Sequence, residues 1–264
     1  MNSSTSRRME PVVLSRRIRP VTENFCARSV SYWVLLLIMT TGCLTASALQ
    51  IGSRTGTSGG VPLEKIEWTW ADRSDPIDPH LPNILLVGDS ITRAYFPEVV
   101  KQFTGKANVY LFATSCSAGD PRLPDQLHTY FKTSPLFTVI HFNNGMHGWG
   151  YDDKTFAAAL PAMVKALRKD NRASRLIWAT ITPVRRDNAS GASNARVDAR
   201  NAAALKVMSQ EGIPIDDQHA LMAGHGDLHL DDVHFNDDGS RLEGDQAAKL
   251  IDSILSASSG LAKK

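Results

Sequence analysis

The stretch Asn83-Ile84-Leu85-Leu86-Val87-Gly88-Asp89-Ser90 decides the fold. Its apolar run is short, unbroken and ends on turn-forming residues, as a strand buried on both faces does. A parallel strand that stops on Gly-Asp-Ser sets a serine hydroxyl at the carboxyl edge of a sheet, where open α/β sheets bind ligands. Downstream, further strand-like runs fall at Val109–Phe112, Phe137–Phe142 and Leu176–Ile181, with a weaker one near Ile213–Ile215. Helical periodicity falls between and after them, at Pro97–Phe103, Lys154–Lys169, Asn194–Gln210 and Asp238–Leu255. In the second of these, Phe156, Leu160, Met163, Val164 and Leu167 form one apolar stripe. Strands alternating with helices predict a parallel sheet of about five strands covered on both faces, a flavodoxin-like three-layer α/β/α sandwich.

A second motif stands near the far end, Asp231-Asp232-Val233-His234. A serine hydroxyl is a weak nucleophile until a base takes its proton, and a histidine base works only when its other ring nitrogen is held. Ser90, His234 and Asp231 supply these three parts. Asp232 points elsewhere by alternation and is the weaker candidate. The expected caps of the final helix are Asp237 and Asp238, which frees Asp231 for the site.

Together the two motifs resemble the SGNH/GDSL hydrolase family, which carries Gly-Asp-Ser near its start and Asp-x-x-His near its end. The resemblance covers roughly Pro82 to Leu255. It implies the same sandwich fold and an acyl-enzyme mechanism with Ser90 as nucleophile, His234 as base and Asp231 as its orienting group. It also implies an oxyanion hole, in which each donor contributes about 3 kcal/mol. The Ser90 N–H is the first donor. Gly119, the glycine of Ala113-Thr-Ser-Cys-Ser-Ala-Gly119-Asp120, matches the second. The third departs from the common Gly-x-Asn-Asp pattern, because the chain reads His141-Phe-Asn143-Asn144-Gly145-Met146-His147-Gly148-Trp149. A family variant of the form Asn-x-Gly-x-His or Asn-x-Gly-x-Trp makes Asn143 the donor, with Asn144 and then His147 as alternatives. Trp149, Tyr151 and Arg93 are expected around the pocket mouth, and Thr182-Pro-Val-Arg185-Arg186 forms a rim loop whose arginines suit an acidic sugar or carboxylate.

The chain divides into an N-terminal segment (1–48), a linker and domain-edge segment (49–81) and the hydrolase domain (82–264). Arg7, Arg8, Arg16, Arg17, Arg19 and Arg28 precede the apolar Tyr32–Met39 and the small-residue site Ala46-Ser47-Ala48. That is the layout of an export signal cleaved before Leu49. Thr41-Gly42-Cys43 also fits a lipoprotein signal, and an uncleaved membrane anchor is a third reading. All three place the domain outside the cytoplasm, in the periplasm, envelope or medium. Gly52–Gly60 has linker composition, while Trp68 and Trp70 alternate with threonines as in a short edge strand, or a sugar-binding pair.

Six of the 29 Lys and Arg and two of the 27 acidic residues lie in the first 48 residues, leaving 23 basic and 25 acidic residues beyond them. No basic face for a nucleic acid is expected from that balance. Cys26, Cys43 and Cys116 have no metal-site spacing, and Cys116 stands alone in the domain. No metal and no cofactor is called for. The expected function is an exported serine esterase acting on short acyl, notably acetyl, esters of carbohydrates. The alternatives are an O-acyltransferase with the same chemistry and a non-catalytic carbohydrate-binding envelope protein on the same fold.

Overall fold

A computed structural model describes residues 57–58 and 60–261, so the export-signal readings lie outside the described residues. A two-stranded hairpin, β1 (Thr57–Ser58) and β2 (Val61–Pro62), precedes the main sheet. That sheet is built from β3 (Thr69–Arg73), β4 (Asn83–Gly88), β5 (Asn108–Thr114), β6 (Val139–Phe142), β7 (Arg175–Ala179) and β8 (Ile215–Asp216). Their spatial order is β3-β5-β4-β6-β7-β8. The last five are mutually parallel in flavodoxin-like order, and β3 pairs antiparallel with β5, Trp70 opposite Ala113. The sheet therefore has six strands, one more than the parallel set read from the sequence. The extra strand lies on the edge, where an antiparallel partner is easily added.

Helices α1 (Ser90–Gln102) and α6 (Asp237–Leu261) pack together, as do α2 (Arg122–Thr133) with α3 (Asp153–Asp170) and α3 with α4 (Asn194–Gln210). A short α5 (Gln218–Ala223) leans on α6. Burial from both sides explains why Ile84, Leu85, Leu86 and Val87 are all withdrawn from water, and why β4 reads as an apolar run rather than an alternation. The stripe Phe156, Leu160, Met163, Val164 and Leu167 is the buried face of α3. Helix α2 follows Pro121 and carries Pro124 in its first turn, where proline is tolerated. Its core contacts are Leu123, Leu127 and Phe131.

Helix α6 is capped by Asn236, whose Oδ1 accepts the Gly239 N–H at 3.0 Å, in place of the expected Asp237 and Asp238. Asp238 instead pairs with Arg241. Strand order reverses at β4, with β5 on one side and β6 on the other, so the crevice of the sheet opens at the end of β4. Among the described residues, no helix is long and apolar enough to cross a membrane.

Candidate active site

Gly88 ends β4 and Ser90 begins α1, with Asp89 as the cap between them. Asp89 is buried and its Oδ1 accepts the Ile91 N–H at 3.0 Å, which fixes the turn. A Cβ on Gly88 would lie 2.0 Å from Thr92 Oγ1, so this close turn requires glycine. The first N–H groups of a helix have no acceptor within it, and Ser90 stands at that position in α1.

His234 reaches Ser90 from the loop before α6. Ser90 Oγ lies 2.7 Å from His234 Nε2, across 144 positions of sequence. His234 Nδ1 lies 2.8 Å from Asp231 Oδ2. The other oxygen of Asp231 accepts the backbone N–H groups of Val233 at 2.8 Å and His234 at 2.7 Å. The Leu230 N–H closes on the His234 carbonyl at 2.8 Å. The three-residue spacing thus makes a tight turn in which one carboxylate both orients the ring and holds the backbone beneath it. Partial burial works against the charge of Asp231, but the N–H groups of His234 and Val233 and the ring of His234 outweigh it and hold the carboxyl at about 2. Asp232 points away, into an ion pair with Arg186 at 2.6 Å.

The remaining candidates are placed less uniformly. Gly119 donates its single N–H to Tyr151 Oη at 3.1 Å. Asn143 donates from Nδ2 to the Ala179 carbonyl at 2.6 Å and retains a second N–H on that nitrogen. Asn144 is occupied at both ends of its amide, accepting from Ala118 N–H at 2.6 Å and donating to the Cys116 carbonyl at 3.0 Å. It ties the loop after β5 to the loop after β6. Of these four, His147 is the one that lines the same cavity as Ser90 and His234.

That cavity measures about 650 Å³. Arg93 and Trp149 line it as expected, while Tyr151 packs beneath the loops, against Gly119 and Gly148. One wall comes from residues 62–68, where Glu64 Oε1 lies 2.7 Å from His147 Nδ1 and Trp68 meets the His147 ring edge-on. Burial disfavours charge on both partners of the Glu64–His147 pair, yet their mutual hydrogen bond lowers the Glu64 carboxyl and raises the His147 imidazole. Trp70 is 46% exposed and carries the Arg93 guanidinium 4.3 Å from its ring centre. The segment read as linker and edge therefore also shapes the cavity.

The loop after β6 is held from behind by Arg200, a fully buried arginine on α4. Its guanidinium donates to the carbonyls of Gly145 (2.7 Å), His147 (2.8 Å) and Gly148 (2.9 Å), and its Nε to Asp153 at 2.9 Å. Gly148 has φ +74°, and a Cβ there would lie 2.4 Å from the Tyr151 ring. Sequence reasoning passed over Arg200 and Glu64. Arg196 and Arg200, four apart on α4, both reach Asp153. That spacing was a usable signal for Arg200, whereas nothing local marked Glu64.

Cys116 is buried, and loss of solvent pushes its thiol up to about 12, which removes it as a nucleophile. Among the described residues, no cluster of three or more His, Cys, Asp or Glu side chains is arranged to hold a metal ion.

The family model for GDSL-like Lipase/Acylhydrolase matches residues 86–242, more than half of the chain. The chain belongs to this family of esterase-type hydrolases. Solved structures share the fold at low identity. A carbohydrate esterase family 3 protein from Talaromyces cellulolyticus is 20% identical with a TM-score of 0.53, over 67% of this chain and 99% of that one. A lipolytic G-D-S-L family protein from Veillonella parvula is 19% identical with a TM-score of 0.51, over 63% and 96%. The acetyl xylan esterase AlAXEase is 17% identical with a TM-score of 0.52, over 64% and 99%. No curated protein matches the sequence.

Proposed function

We propose that this protein is an exported serine esterase that removes short acyl groups, foremost acetyl, from carbohydrate esters. The observation that carries the proposal is the continuous chain from Ser90 Oγ to His234 Nε2 at 2.7 Å and from His234 Nδ1 to Asp231 at 2.8 Å. In this mechanism Ser90 Oγ attacks the acyl carbon as His234 Nε2 takes its proton. Asp231 stabilises the imidazolium that results and keeps its own charge. The tetrahedral intermediate collapses, the C–O bond to the alcohol breaks, and His234 returns the proton to the departing oxygen. Water then repeats the sequence on the acyl-serine, giving the free acid and Ser90.

The oxyanion would be met first by the Ser90 N–H and then by the uncommitted N–H of Asn143. Gly119 could join only if Tyr151 released its N–H, and Asn144, bound through both Oδ1 and Nδ2, serves first to tie the two loops together. His147 is the donor of last resort, because with Nδ1–H given to Glu64 its Nε2 donates only in the imidazolium form. The carbohydrate reading is supported by fold neighbours that include a carbohydrate esterase and an acetyl xylan esterase. Export is supported by the arginine-rich flank and apolar stretch of residues 7–48.

The test is hydrolysis of p-nitrophenyl acetate by the protein and by Ser90→Ala. The expected result is turnover in the wild type and a loss of at least about 10³-fold in the variant. Equal turnover in the two would remove Ser90 from the chemistry.

A further inference from the structure

Charge around the cavity is unevenly compensated. Every carboxylate that lines it, or the adjoining groove on the other side of His234, has a partner: Glu64 with His147, Asp231 with His234, Asp232 with Arg186. Three cations lining the same surfaces, Lys65, Arg93 and Arg185, form no ion pair among the described residues. The groove measures about 500 Å³ and shares Val233 and His234 with the main cavity, so the two flank the Ser90–His234 contact. Arg93 is preorganised. Its guanidinium lies over Trp70, an arrangement that holds the plane while leaving edge N–H groups free for a two-point contact with a carboxylate. On the other side, the Arg185 backbone N–H is anchored to the Asp232 carbonyl at 2.8 Å. Lys65 and Trp70 lie outside residues 86–242, so part of this charge pattern belongs to the chain's own N-terminal wall rather than to the matched domain.

We propose that the alcohol part of the ester carries carboxylate groups, read by Arg93 and Lys65 on one side of His234 and by Arg185 on the other. The substrate class is an acylated acidic oligosaccharide. The inference rests on the esterase reading, in which the acyl part is the small one and the anionic part must fall on the alcohol. The aromatic rings of Trp68 and Trp149 in the same cavity suit the apolar faces of sugar rings between the charges.

The test compares O-acetylated oligogalacturonate with the same oligomer after methyl esterification of its carboxylates, alongside p-nitrophenyl acetate. The expected kcat/KM is about tenfold or more higher on the charged oligomer, as charge-assisted pairing provides. That ratio should shrink with added salt and fall towards one in Arg93→Gln. Ser90-dependent hydrolysis of p-nitrophenyl acetate with a wild-type ratio of one or less overturns the charge reading and leaves the esterase standing. If no ester is cleaved through Ser90, the esterase reading fails. Binding then decides the inference alone. Unacetylated oligogalacturonate should quench the tryptophan fluorescence of Ser90→Ala protein in a salt-sensitive way, and no binding overturns it.

Discussion

His234 meets Asp231 across 2.8 Å at the edge of the sheet, and His141 meets Asp216 across the same 2.8 Å inside it. The first pair is open to solvent, with side-chain exposures of 38% and 54%, and the second is closed, at 0% and 1%. At the edge, Asp231 spends its second oxygen on the local backbone, and His234 turns its free nitrogen to Ser90. In the core, Asp216 is tied down by Gln218 at 2.8 Å and Gln246 at 2.7 Å, and His141 Nδ1 has no partner among the described residues. Burial pushes the Asp216 carboxyl up, but the hydrogen bonds from His141, Gln218 and Gln246 win and hold it below its usual range. One dyad thus faces a serine hydroxyl at the cavity, the arrangement the proposed mechanism needs, while the other joins β6 to β8 beneath the sheet's helices. Residue type and distance are the same in both, and what separates them is solvent exposure and the contact of one with Ser90.

The comparison is broken if the two pairs respond alike to mutation. The largest effect is expected for Asp231→Asn, which keeps an acceptor for the backbone N–H groups but no longer fixes the His234 tautomer. Turnover should fall about 10⁴-fold, with unfolding free energy within about 1 kcal/mol of wild type. Steady-state kinetics beside urea unfolding checks both halves. Loss of fold would place Asp231 with the structural pair.

For His141→Ala the pattern should reverse. Removing one partner leaves the Asp216 charge buried, at a cost of about 3 kcal/mol in urea unfolding. The kcat of the fraction that remains folded should stay within about threefold of wild type. A selective loss of kcat without loss of stability would instead draw the buried pair into the catalytic machinery.

The smallest expected effect sharpens the contrast through pH. Glu243 on α6 is fully buried, and neither carboxyl oxygen has a hydrogen-bond partner among the described residues. Desolvation first, then the nearby charges of Asp89 and Asp216, push its carboxyl well above the ordinary 4.5. The folded state therefore holds this proton more tightly than the unfolded chain, so its contribution to stability declines as pH rises above 4.5. Glu243→Gln carries no such proton and should flatten the fall of Tm between pH 5 and pH 8. An unchanged slope would mean that Glu243 is already ionised in the folded protein.

Much of the sheet was legible because parallel strands are written as local apolar runs. β4, β5 and β7 were each located within three residues at either end. Ser90, Asp231 and His234 were legible for a related reason, since turn chemistry at Gly88-Asp89-Ser90 and a three-residue spacing are local patterns. What failed to show was long-range. Helix α2 hid behind Pro121 and Pro124, although Leu123, Leu127 and Phe131 carry a helical period. Glu64 finds His147 across 83 positions, and Arg200 finds the Gly145–Gly148 carbonyls across more than 50. Asn143 and Asn144 are adjacent and chemically identical. Only the structure shows that Asn144 ties two loops together through both Oδ1 and Nδ2, while Asn143 bonds from Nδ2 to the Ala179 carbonyl.

The central claim is that the edge pair activates Ser90. The most direct measurement is labelling by a fluorophosphonate probe, with the modified peptide identified by mass spectrometry. The account predicts one label, on Ser90, absent in Ser90→Ala and slowed by orders of magnitude in His234→Ala, with His141→Ala labelled at close to the wild-type rate per folded molecule. Folded wild-type protein that takes no label, or takes it equally without His234, would contradict it.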